Sequence, residues 1–235
     1  MFNPARAALL DDPKRFEFLP PDDIAALLDA PRGGVVVDFG AGTGTFSIEL
    51  ARRRPDLKVI ALDEQPGMLE LMKAKPAARE LEGIQPMLTD QIDSIRGAAD
   101  RILAINVLHE VGDDDLREMS ELLKPQGSAL IIDWDGEMDR PIGPPKGHTH
   151  STAEACARLA KAGLETEILG HLRYHFVLRA RLSGIQTAGI EPQYRIAGPQ
   201  VRESHHDVKD VADGSGGPRI FPESAIRHAH HRSEF

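Results

Sequence analysis

Hydrophobic residues along this chain follow two alternating spacings. Short blocks rich in Val, Ile and Leu occupy 35–38, 58–63, 84–90, 129–133, 165–169 and 174–180. A further block begins at Asp100 and runs, with its exit, to Val111. Runs of this length bounded by turn residues predict buried strands. Between them apolar positions fall three or four apart, as over 46–52, which predicts amphipathic helices. Pro20-Pro21-Asp22-Asp23 before the apolar stretch 24–28 reads as a helix start, and Ser151 with Glu154 as a capping box opening a later helix. Strand and helix patterns alternate across 34–182, which predicts a mostly parallel sheet with helices on both faces.

One strand-to-helix junction stands apart. After Val35-Val36-Val37-Asp38-Phe39 come glycines at 40, 42 and 44, and then the first helix. Glycine permits a sharp turn and lets a ligand approach with no Cβ in the way, and the helix start offers free N–H groups. The dinucleotide fingerprint Gly-x-Gly-x-x-Gly requires a glycine at 45, where Thr45 stands. Asp63 ends the next strand block, 23 residues after Gly40. A carboxylate there can accept hydrogen bonds from both hydroxyls of a ribose, with the adjacent Glu64 as the alternative.

The spacing Asp38-x-Gly40-Ala41-Gly42-x-Gly44 resembles motif I of the class I S-adenosylmethionine-dependent methyltransferases. Later segments are similar to the same family at the expected distances. They are Leu62-Asp63-Glu64-Gln65-Pro66-Gly67-Met68, Asn106-Val107-Leu108-His109, and Leu122-Leu123-Lys124-Pro125-Gln126-Gly127, in which Gln126 replaces a family glycine. The resemblance covers about 15–182 and is nearest to the small-molecule members related to quinone biosynthesis and arsenite methylation. It implies a Rossmann-like seven-stranded sheet, mostly parallel, closed by a C-terminal antiparallel hairpin. It implies S-adenosylmethionine as cofactor, held by Asp38, Gly40, Ala41, Gly42, Gly44, Asp63, Glu64 and Asn106. Met68 either packs on the adenine or fills the core. Asp90, flanked by Gln91, meets the adenine amino group, with Asp93 as competitor.

Ligands of such sheets bind beyond the C-terminal ends of the parallel strands. His109 and Glu110 follow the fourth strand and are the candidate catalytic residues. His109 titrates near neutrality and is either a base or a positioning hydrogen-bond partner, while Glu110 either acts beside it or lines the next loop. Asp133-Trp134-Asp135 reaches the same rim, with Trp134 as a pocket wall or an anchor. The proline-stiffened loop from Pro141 to Ser151 carries His148 and His150, as a connector or as a support for acceptor-side histidines. Arsenic methylation in this group relies on several cysteines, and the chain has one, Cys156. The Pro-Pro-aromatic segment of DNA amino-methylating relatives is absent after Asn106. The expected activity is methyl transfer to a small organic acceptor. The alternative is a cofactor-binding sensor or partner subunit without turnover.

Composition narrows the setting. A length of 235 residues allows one domain or one and a half, enough to bury most of the apolar surface. A net charge of −9 argues against a nucleic-acid partner, whose phosphates demand Lys and Arg. No apolar run nears the roughly 18 residues of a membrane span. Arg6 is followed by Asp11 and Asp12 without a long apolar stretch, so no secretory signal is read, and the single cysteine fits a reducing cytoplasm. No feature specifies an oligomeric state. Three regions are expected: a leader or lid at 1–33, a cofactor domain at 34–182, and a Gly-, Pro- and His-rich tail at 183–235 that reads as irregular and disordered. His205, His206, His228, His230 and His231 lie in that tail without the spacing of a metal site, so no metal is expected.

Overall fold

The computed structural model describes residues 4–184. Strands β1 (Val35–Phe39), β2 (Lys58–Asp63), β3 (Ile84–Leu88), β4 (Ala99–Ile105), β5 (Leu123–Trp134), β6 (Leu164–Leu172) and β7 (His175–Leu182) form one sheet. Its order is β3-β2-β1-β4-β5-β7-β6. Strands β1 to β5 pair in parallel, and β7 runs antiparallel to both β5 and β6. Helices are α1 (Pro21–Leu28), α2 (Thr45–Arg53), α3 (Pro66–Ala74), the single turn α4 (Pro76–Arg79), α5 (Asp113–Glu121) and α6 (Thr152–Lys161). This is the Rossmann-like sheet with a terminal antiparallel hairpin that the sequence predicts.

Alternate residues of β1 feed two cores, one on each face. Val37 and Phe39 join Ile60, Leu62, Leu116, Met119 and Leu159 on the side of α5 and α6. Val36 joins Val59, Phe46, Leu50, Ile24 and Leu27 on the side of α1 and α2. A strand buried on both faces must be apolar at nearly every position, which is why β1 and β2 read as continuous runs. The leader belongs to the second core: Leu19 is fully buried there and Phe18 stacks on His175. Helix α1 is tied to the sheet at its C-terminus, where unpaired carbonyls need donors. Arg179 of β7 donates to the Leu27 carbonyl at 2.7 Å, and Arg101 of β4 to those of Leu28 and Asp29 at 3.1 and 3.0 Å.

Three boundaries depart from the sequence pattern. β5 starts at Leu123, six residues before the expected block, because Leu123 already pairs with Ala99. Pairing resumes at Arg101 with Ser128, so the segment between bulges out of register. Gly127 permits this, since a Cβ there would lie 2.8 Å from the Ala99 carbonyl oxygen. β3 ends at Leu88, and Asp90 and Gln91 lie in a 3-10 segment, Thr89–Ile95. The hairpin strands are longer than expected, with a register shift between Ile168 and Gly170. Cys156 is half-buried on α6 against the first core. Among the described residues no helix is long and apolar enough to cross a membrane. The tail beyond Gly184, with its five histidines, lies outside the described residues.

Candidate active site

The sheet order reverses between β1 and β4, and the crevice at that point collects ligands in open α/β sheets. The glycine turn and the exit of β4 meet there. Gly40, Gly42 and Gly44 all have left-handed backbones, with φ of 71, 56 and 72°, which disfavours any residue with a Cβ. At Gly40 a Cβ would lie 2.6 Å from a methyl carbon of Val107, so turn and exit touch backbone to side chain. Asn106 itself has φ 58°, and its side-chain oxygen is buried without a hydrogen-bond partner. A left-handed Asn with an orphaned acceptor at a sheet switch point makes Asn106 a candidate ligand-binding position.

The acidic residues of the two strand ends differ in role. Asp63 accepts from the Gly42 N–H at 2.7 Å and from the Gln65 N–H at 2.9 Å, so it braces the glycine turn from the end of β2. The N–H groups of Gly40 and Ala41 both donate to the Leu62 carbonyl at 2.9 Å. Glu64 beside it is exposed, and Met68 is fully buried on α3. Asp90 and Gln91 are exposed at the exit of β3, while Asp93 pairs with Arg96 at 2.7 Å. Asp38 is 3% exposed. Burial pushes its carboxyl up to about 6, a bond from the Ser47 hydroxyl pulls it down, and the charge of Asp63 adds to the rise.

That shift predicts a pH effect. A carboxyl whose folded pKa exceeds its unfolded value binds its proton more tightly in the native state, so its favourable contribution is complete below about 3.8 and is lost as pH rises through about 6. Asp38→Asn keeps an acceptor for Ser47 and removes the buried charge. Thermal melts are expected to show the variant at least as stable as the wild type at pH 8, and relatively less so at pH 4. A variant markedly less stable at pH 8 would mean that the charged carboxylate itself holds the turn.

The leader adds a contact that the sequence does not announce. Asp11 accepts from the Thr43 and Thr45 hydroxyls at 2.6 and 2.7 Å and pairs with Lys75 at 2.5 Å, beside the glycine turn. These partners lie 32 to 64 residues away, so no local pattern reveals them.

Across the crevice, His109 is largely buried. Its Nδ1 lies 2.7 Å from Asp133 Oδ1, at the end of β5, and its backbone N–H reaches Asp133 Oδ2 at 3.3 Å. Asp133 also accepts from the Trp134 N–H at 2.7 Å, which fixes the carboxylate. Glu110 Oε1 lies 3.5 Å from His109 Nε2. Burial opposes a charge on His109, but the hydrogen bond and charge of Asp133, with Glu110, outweigh it and hold its pKa above 6.5. Trp134 packs on His175 at 4.1 Å and lies under the Arg140 guanidinium at 5.4 Å. Burial drives His175 down to about 3. The sequence brought forward His109 and Glu110, and the structure adds Asp133 as the partner of the former.

Residues 36–127 match the methyltransferase-domain family. An O-methyltransferase of Streptomyces lavendulae is 30% identical over 54% of this chain and 40% of its own length. Trans-aconitate 2-methyltransferase of Deinococcus radiodurans is 29% identical over 66% of this chain and 54% of its own. The chain spans 34% to 54% of the length of these and other curated relatives that it matches. The crystal structure of an S-adenosylmethionine-dependent methyltransferase from Aquifex aeolicus superposes with a TM-score of 0.71 at 26% identity, covering 77% of this chain and 98% of that one. Residues 36–127 thus lie in a segment that matches the methyltransferase-domain family, within a fold similar to that of an S-adenosylmethionine-dependent methyltransferase.

Proposed function

We propose that the chain methylates a hydroxyl of a small organic acceptor, with His109 as the base. The observation that carries this reading is the His109–Asp133 pair at the exits of β4 and β5, across the crevice from the glycine turn. S-adenosylmethionine, when bound, supplies a methyl group made electrophilic by its sulfonium. The residues present fit that group. The turn from Gly40 to Gly44 with Asp38 and the orphaned oxygen of Asn106 would hold its methionine part. Asp63 would hold the ribose, with Glu64, Asp90 and Gln91 around the adenine, while the buried Met68 fills the core instead.

The proton chemistry follows from the pair. Asp133 accepts a hydrogen bond from the Nδ1–H of His109, which leaves Nε2 as the acceptor. With the cofactor bound, Nε2 would take the proton of the acceptor hydroxyl while the methyl group passes from sulfur to that oxygen and the thioether leaves. The imidazolium so formed sits between Asp133 and Glu110. Positioning and exclusion of water supply the rest. O-methyltransferase names among the relatives support oxygen as the attacking atom.

The test is a screen of pooled small hydroxylated metabolites, read by release of S-adenosylhomocysteine, with a pH profile on any hit. The basic imidazole is the active form, so the rate is expected to rise with pH through a midpoint above 6.5. A rate flat from pH 5.5 to 8.5 would remove His109 as base. Cofactor binding without turnover across the screen would favour the sensor reading instead. The same shift has a stability consequence: the raised pKa of His109 stabilises the fold fully below 6.5, and this is lost as pH passes through the folded value.

A further inference from the structure

Arg158 of α6 reaches across to the loop that carries His109 and uses its planar fork in four directions. NH1 donates to the Leu108 carbonyl at 2.7 Å and meets His150 Nε2 at 2.9 Å. NH2 donates to the Val111 carbonyl at 2.7 Å, and Nε to Asp113 Oδ1 at 2.9 Å. The two carbonyls flank His109 in sequence, so one side chain clamps the loop on both sides of it. Carbonyls in a loop between a strand and a helix have no ladder partner, and a guanidinium is suited to collecting several at once.

The same contact decides the state of His150. A guanidinium donates only, so Nε2 must accept and the imidazole proton must sit on Nδ1. Nδ1 has no partner among the described residues. His150 bridges to Asp135, two residues beyond the Asp133 that holds His109. We propose that Arg158 is a positioning residue of the site, holding the 108–113 loop in place and keeping His150 as a neutral Nδ1–H donor toward an oxygen of the acceptor, beside His109. This rests on the methyl-transfer reading above. The groups that face His150 agree: burial and Arg158 hold its pKa below 6.5, against the opposing charges of Asp133 and Glu154, with His109 adding to the fall. Two nearby histidines are thus driven apart, His109 toward accepting a proton and His150 toward staying neutral, which is how acid–base roles separate in a site.

The test needs neither acceptor nor cofactor. The full chain is labelled with ¹⁵N-histidine, and two-bond ¹H–¹⁵N spectra are recorded from pH 5 to 8.5. His109 and His150 are assigned by loss of their signals in His109→Gln and His150→Gln. The expected wild-type result is His150 neutral with its proton on Nδ1 at pH 7. In Arg158→Gln its midpoint is expected to rise by roughly half a pH unit or more, both tautomers to appear, and the His109 signals to move. A wild-type His150 protonated on Nε2 overturns the proposal. So does an Arg158→Gln protein that melts lower while both histidines titrate as before, the behaviour of a strut. Should that variant not fold, Asp113→Asn leaves the Arg158 charge less compensated beside His150 and is expected to lower the His150 midpoint by a smaller amount, and no shift overturns the proposal. Failure of the methyl-transfer reading would appear separately, as absence of S-adenosylhomocysteine release across the metabolite screen.

Discussion

His109→Ala is expected to lower the rate of methyl transfer by about 10²–10⁴-fold, the usual contribution of a positioned base. Binding of S-adenosylhomocysteine, measured by calorimetry, should change little, because His109 lies on the β4 exit and the glycine turn is braced by Asp63. The variant also removes one of the N–H groups on the buried Asp133 carboxylate. Two backbone donors remain, from His109 and Trp134, so a stability loss of about 1–3 kcal/mol is expected, with the protein still folded. Asp133→Asn is the companion variant. An amide that donates toward Nδ1 forces the ring proton onto Nε2 and blocks the base, so turnover should fall to a similar extent. Normal turnover per folded molecule in both variants would show that the pair only fastens the β4 exit to β5.

The second large effect is expected at Asp63. Its carboxylate does two things at once in this fold, since the oxygen that faces the turn accepts from Gly42 and the other from Gln65. Asp63→Ala leaves the Gly42 N–H without its partner, at a cost of about 1–3 kcal/mol in stability. It also removes the proposed ribose contact, about 1.5–3 kcal/mol of affinity and so roughly tenfold to a hundredfold in Kd. Asp63→Asn separates the two, because one oxygen still accepts from Gly42 while the charge is gone. It should recover much of the melting temperature and less of the affinity. Glu64→Ala is the control, since Glu64 is exposed. If Glu64→Ala loses cofactor affinity and Asp63→Asn does not, the ribose is held from the following residue.

What was legible in the chain is what is local. Gly40, Gly42 and Gly44 declare themselves because three left-handed residues in five positions admit little else, and their place after a β-branched run marks a strand exit. Asp63 is legible by its distance from that turn. The capping box is legible too, with the Glu154 N–H donating to Ser151 Oγ at 3.2 Å and the Ser151 N–H to Glu154 at 2.8 Å. Each of these is decided within a few residues or by one strand-helix-strand unit.

The bulge at the start of β5 was not legible, because it depends on pairing with Ala99 rather than on the segment itself. Nor was the partner of His109. The sequence brings Asp133 and Asp135 to the same rim, but nothing local says which of them meets His109. The parallel register of β4 and β5 does, since Ile105 pairs with Ile132 and so brings the next residues of both strands to one rim. A slip of one residue would turn Asp133 to the other face. Arg158 is subject to the same limit, 45 to 50 residues from the groups it clamps. The sequence by itself determined the alternation of elements, the glycine turn and the strand exits, because backbone conformation and burial periodicity are local properties. Which side chains face one another across those exits was decided by the tertiary structure alone, through strand order and register, which set distances between residues that the chain keeps far apart.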